Sequence, residues 1–196
     1  MWAHQHDQQA NQVECSIRAE RKARWTTNGP DANIFGLEPN DGCCTANLSQ
    51  GWPKLAAHLW MRTERELAAV AYAPGRASAE FGGVPVAVSL ETDYPFRDVL
   101  EFTVAAAGPV QLALLLRIPA WAEGAELLVG GKRAAAPPVP GTLARVEREW
   151  RGRTRLTLRL PMRPRVVRRP RGAVAIERGP LVYALRIAEF PVAAET

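Results

Sequence analysis

The feature that most constrains this chain is a strict two-residue alternation of apolar and polar side chains, repeated along its C-terminal two thirds. Leu156, Leu158 and Leu160 alternate with Arg155, Thr157 and Arg159, and Val84, Val86, Val88 and Leu90 alternate with Pro85, Ala87 and Ser89. Leu100, Phe102 and Val104 alternate with Glu101 and Thr103 in the same way. A period of two puts the apolar set on one face of an extended strand, whereas on a helix it would scatter that set around the axis. Further strands are predicted at Leu67–Tyr72, Gln111–Ile118, Leu143–Trp150, Ala173–Glu177 and Leu181–Ile187. Glu126–Val129 and Lys132–Ala134 flank Gly130-Gly131, a hairpin signal. About nine short strands with turn residues at near-regular spacing predict a mainly β protein, an antiparallel β-sandwich over residues 65–190.

Residues 1–64 read differently. Gln12–Ala19 alternates like a half-buried strand that places Cys15 on its apolar face. Residues 26–42 hold Gly29, Pro30, Gly36, Pro39 and Gly42, a long structured loop anchored by Ile34, Phe35 and Leu37. From Thr45 to Met61 the apolar residues Leu48, Trp52, Leu55, Ala56, Leu59 and Trp60 recur at spacings of three and four, which predicts a helix. Gly51 and Pro53 predict a kink or a late start in it.

Where that loop meets the helix stand Cys43 and Cys44, side by side. A helix start offers unpaired N–H groups and a partial positive charge, and so eases ionisation of a thiol. The thiolate is both nucleophile and metal ligand. A zinc site needs further ligands, and Cys15, Glu38, His4, His6 and His58 are the local choices, none singled out by spacing. The pair reads equally as buried and inert. Trp25, Trp52 and Trp60 offer flat apolar surfaces to a sugar ring, although core packing accounts for at least one of Trp52 and Trp60.

Composition limits the alternatives. Of 196 residues 47% are hydrophobic, so a packed core is expected, and no run approaches the length needed to cross a bilayer. Three cysteines make no disulfide framework. No signal peptide opens the chain, which points to the cytoplasm rather than secretion. The net charge of +5 is modest. Its densest cluster, Arg163, Arg165, Arg168, Arg169 and Arg171, is broken by prolines and lacks interleaved aromatics, so a solvated sheet edge is expected and no nucleic acid.

Taken in order, several stretches resemble glycoside hydrolase family 127, the β-L-arabinofuranosidase-like proteins. They are Asn33–Asn40, Gly42-Cys43-Cys44-Thr45-Ala46-Asn47, Gly51-Trp52-Pro53-Lys54, Glu91–Phe96, Leu116–Ala122 and Glu177–Tyr183. The resemblance implies a C-terminal portion of such a protein: residues 1–64 as the last loop and helix of an (α/α)6 catalytic barrel, then a sandwich. It implies a retaining glycosidase in which Cys43 is nucleophile and zinc ligand and Cys44 a second zinc ligand, with carbohydrate as substrate. The family's Glu-x-Cys element and acid/base glutamate belong upstream of residue 1, and Glu14-Cys15 lacks the spacing to replace them, so the zinc site is expected to be incomplete here. Glu38 and Trp52 are the residues expected to meet substrate. The helix face carrying Trp52, Leu55, Leu59 and Trp60, deprived of barrel neighbours, is expected to promote self-association. The competing expectation is a carbohydrate-binding or structural β-sandwich module without chemistry of its own.

Overall fold

The computed structural model describes residues 50–169 and 172–183. Among these residues one helix, α1 (Gly51–Ala57), leads into eleven strands. The expected late helix start is found: Gln50 occupies the N-cap position without a side-chain cap, and Pro53 falls in the first turn, where its missing N–H costs nothing. The helix stops earlier than its periodicity predicts. Residues Trp60–Arg62 form strand β1, antiparallel to β2 (Glu66–Ala69), because pairing with β2 satisfies the backbone and brings Trp60 onto the core.

Two strands organise everything else. β5 (Val99–Arg117) and β8 (Leu143–Arg159) pair antiparallel along nearly their whole length. The sequence reading divides each of them in two, Leu100–Val104 from Gln111–Ile118 and Leu143–Trp150 from Leu156–Leu160. The chain instead continues through both breaks as a bulge. Between the pairs Ala106↔Gly152 and Val110↔Trp150, β5 has three residues where β8 has one, and Gly152 takes a left-handed φ of 64°. The extra residues bend the ribbon without ending it, and the bulge tolerates Pro109.

The first half of β5 and the second half of β8 form one layer with β3 (Gly75–Phe81), β4 (Val84–Glu91), β6 (Glu126–Val129) and β7 (Lys132–Arg133). The other halves form a second layer with β1 and β2. Phe102 of the first layer meets Trp60 of the second edge-on, ring centroids 6.3 Å apart, so the layers face each other over one core. Leu100, Phe102, Val104, Leu114, Leu116, Leu156 and Leu158 are buried there. Each contributes on the order of 1.5–3 kcal/mol. The sandwich is therefore as expected, with one departure: β2 runs parallel to β5.

β3 escapes the sequence reading because Ala77, Ser78 and Ala79 make a weak pattern. Its strand state comes from pairing with β4 across Gly82-Gly83, both at positive φ. A separate three-stranded antiparallel sheet follows, β9 (Pro164–Arg168), β10 (Val174–Arg178) and β11 (Leu181–Tyr183). The arginine-rich stretch is thus an edge strand, and Arg165 and Arg169 both clamp Glu177, at 2.6 and 2.9 Å.

Candidate functional site at the α1 end of the sandwich

The motif blocks between residues 91 and 183, scattered in sequence, meet at one corner. β2 and β5 run parallel and end together, and Tyr72, three residues past β2, donates its hydroxyl to the Arg117 carbonyl at 2.6 Å. Its ring lies edge-on to Tyr94, at 5.9 Å, and against Phe102 at 6.0 Å. Edge-to-face pairs of this kind add about 0.5–1.5 kcal/mol each beyond simple burial. Burial raises the pKa of the Tyr72 and Tyr94 phenols, with the neighbouring Tyr94 adding to the effect at Tyr72. Both hydroxyls are therefore neutral structural groups rather than bases.

The loop Thr92–Asp98 is held by its own polar groups. Thr92 Oγ1 accepts from the Tyr94 N–H at 3.0 Å and donates to the Val99 carbonyl at 2.7 Å, and the Phe96 N–H reaches the Asp93 carbonyl at 2.8 Å. The Tyr94–Pro95 peptide is cis. Arg178 extends Nη1 to the Phe96 carbonyl at 3.5 Å, which ties the small sheet to this loop. In the turn after Arg178, Gly179 has φ +58° and is packed so closely that a Cβ would strike the side chain of Met162 and touch Trp121. The blocks 91–96, 116–122 and 177–183 therefore form one contiguous structure.

α1 enters at the same corner. The N–H groups of Val70 and Ala71, just before Tyr72, both bond the carbonyl of Leu59, two residues after the end of α1. Of the predicted site residues, Cys43, Cys44 and Glu38 lie outside the described residues, as do Cys15, His4, His6 and Trp25. Trp52 lies on α1 and is 73% exposed, open for contact, while Trp60 is committed to the core cluster. The helix face is thus split rather than exposed as a whole. His58 donates Nδ1–H to the Lys54 carbonyl at 2.6 Å. Among the described residues, no group of three His, Cys, Asp or Glu side chains could hold a metal, and no helix is long and apolar enough to cross a membrane. Tyr72 and Arg178 carry contacts that the sequence reading misses, because their partners lie far away along the chain.

Residues 66–162 match the model of the β-L-arabinofuranosidase GH127 middle domain. Among solved structures, a GH127 β-L-arabinofuranosidase from Geobacillus stearothermophilus T6 is similar at 28% identity and TM-score 0.66, over 71% of this chain and 23% of that one. A glycoside hydrolase superimposes at TM-score 0.70 and 23% identity, over 85% of this chain and 28% of its own. A GH127 β-arabinofuranosidase gives 0.65 and 23%, over 71% and 25%. No curated protein matches the chain. The chain spans about a quarter of the length of these solved proteins. The ribbon-built sandwich and the family model agree: residues 66–162 resemble the GH127 middle domain in both sequence and fold.

Proposed function

We propose that this chain is the C-terminal part of a retaining glycosidase of the β-L-arabinofuranosidase type, with residues 1–64 belonging to the catalytic portion and the sandwich supporting it. The observation that carries this reading is the GH127 middle-domain match over 66–162, whose first strands follow directly from the helix after the Cys-Cys pair. Six residues separate Cys44 from Gly51, where α1 begins.

In this reading the Cys43 sulfur attacks the anomeric carbon as the glycosidic C–O bond breaks, and the leaving oxygen takes a proton from a carboxylic acid. Water then displaces the sulfur and the sugar leaves with retained configuration. Cys43 and Cys44 are two soft sulfur donors of the kind zinc prefers, and bound zinc would keep the nucleophile as thiolate at neutral pH. Glu38 hydrogen-bonds sugar hydroxyls, and the exposed indole of Trp52 stacks on a sugar face. The substrate class is a glycan bearing β-linked L-arabinofuranose.

Zinc analysis of the purified chain, with iodoacetamide labelling at neutral pH, tests this. With only two of its ligands in this chain, the site should take up added zinc weakly and lose that uptake in Cys43→Ser, with Cys43 labelled faster than Cys15 in the zinc-free chain. Zinc content unchanged by Cys43→Ser and Cys44→Ser, together with equal labelling of the three thiols, overturns the assignment and leaves a non-catalytic sandwich module.

A further inference from the structure

A cleft of about 1140 Å³ opens at the far end of the second layer, between the β1–β2 turn and the β3–β4 hairpin. Phe81, Val110 and Leu112, all nearly buried, line it from the core side, and Glu66, Gln111, Arg145 and Glu147 line it from the outer face of the sheet. That outer face has a defined order. Glu66 of β2 and Glu147 of β8 are both in register with Ala113 of β5, one on either side of it. Arg145, two residues from Glu147, joins them: Nη1 donates to Glu66 at 2.5 Å and Nε to Glu147 at 3.0 Å. These bonds raise the Arg145 pKa, the Glu66 hydrogen bond contributing most, so its charge is constant across the working range.

We infer that this cleft binds a short, uncharged saccharide chain, with Arg145 and Gln111 as its polar contacts; the inference rests on the carbohydrate reading above. The ligand chemistry follows from the lining. Glu64, Glu66 and Glu147 outnumber Arg65 and Arg145, so an anion is repelled. Arg145 is already neutralised by two carboxylates, and its ion pairs use Nε and Nη1, which leaves Nη2 as a donor fixed in direction. The Gln111 amide supplies a donor and an acceptor, and the remaining lone pairs of the two carboxylates accept hydroxyl protons. Vicinal hydroxyls match such planar groups. The volume exceeds what one monosaccharide fills, and the open mouth between two turns admits a chain.

The cleft is reached from the end opposite the α1 corner, the two lying at either end of the Val110–Arg117 segment of β5. At about 3.4 Å per residue that segment spans roughly 24 Å, so a glycan held in the cleft does not contact Trp52 through the same sugar unit.

The test is a ¹H–¹⁵N NMR titration of the full chain with L-arabinose and with arabino-oligosaccharides up to about 10 mM, a range that reaches affinities near millimolar. Expected are shifts confined to Gln111–Ala113, Arg145 and Glu147, larger for oligosaccharides than for the monosaccharide. Gln111→Ala breaks no ion pair and should weaken binding about tenfold with an unchanged melting temperature. Arg145→Ala should weaken binding at least as much, and Lys132→Ala, on the distant β6–β7 hairpin, should have no effect on it. Shifts at the Trp52 indole with a silent cleft overturn this inference and leave the glycosidase reading standing. Absence of shifts at the cleft with every sugar, or binding insensitive to Gln111→Ala and Arg145→Ala, also overturns it; loss of cysteine-dependent zinc bears on the glycosidase reading alone.

Discussion

Gly179 is where the motif blocks lock together, and Gly179→Ala tests that joint. Two costs add. Alanine at φ +58° is strained by about 1 kcal/mol relative to glycine. The new Cβ also overlaps the Met162 side chain, which is 7% exposed and has nowhere free to swing, and crowds Trp121 at 3.3 Å. Overpacking of this kind costs about 1–3 kcal/mol, and an adaptable methionine keeps it toward the lower end. The sum is about 2–3 kcal/mol, or a fall in melting temperature of roughly 4–12 °C for a chain of this size. Urea denaturation of the four members of a Gly179→Ala, Met162→Ala cycle separates the terms. Met162→Ala alone is destabilising, but it makes room for the Cβ, so in that background Gly179→Ala should cost only the backbone term of about 1 kcal/mol. The coupling is then about 1–2 kcal/mol. A single-variant cost below about 0.5 kcal/mol, or strict additivity, would falsify the packing of the 177–183 hairpin on Trp121 and Met162.

Trp150 is 1% exposed and donates its indole N–H to the Leu112 carbonyl at 2.8 Å beside the bulge, so Trp150→Phe should cost about 2–4 kcal/mol in chemical denaturation, from lost volume and a stranded carbonyl. Burial raises the folded-state pKa of Tyr72, so its contribution is intact below the unfolded pKa of about 10 and declines as pH rises beyond it, at most about 1.4 kcal/mol per pH unit. Tyr72→Phe should flatten that alkaline decline while lowering neutral-pH stability by about 1 kcal/mol through the hydrogen bond to Arg117; an unchanged alkaline slope counts against the buried phenol. Trp52→Ala should leave stability within about 0.5 kcal/mol, since the side chain is 73% exposed, yet shift sedimentation velocity profiles toward monomer; profiles identical to the parent chain would exclude this residue as the self-association contact.

Alternation alone assigns the buried faces of Leu100–Val104, Val84–Leu90 and Leu156–Leu160, because a two-residue period has only one structural reading and each face needs nothing beyond its own side chains to declare itself. The hairpin at Gly130-Gly131 is legible for a similar reason, both glycines taking the positive φ that such a turn demands. Tertiary pairing decided the rest. Gly108-Pro109 and Arg151-Gly152-Arg153 look like turns until they face each other, when they become one bulge and two strands become a ribbon running through both layers. Trp60 fits a helical stripe, and only the edge of β2 and the ring of Phe102 make it a strand residue. Arg145 meets Glu66 across a separation of 79 residues, which no local pattern encodes. Side-chain direction is a property of a short segment, whereas a cleft or a corner exists only once distant segments have been brought into register.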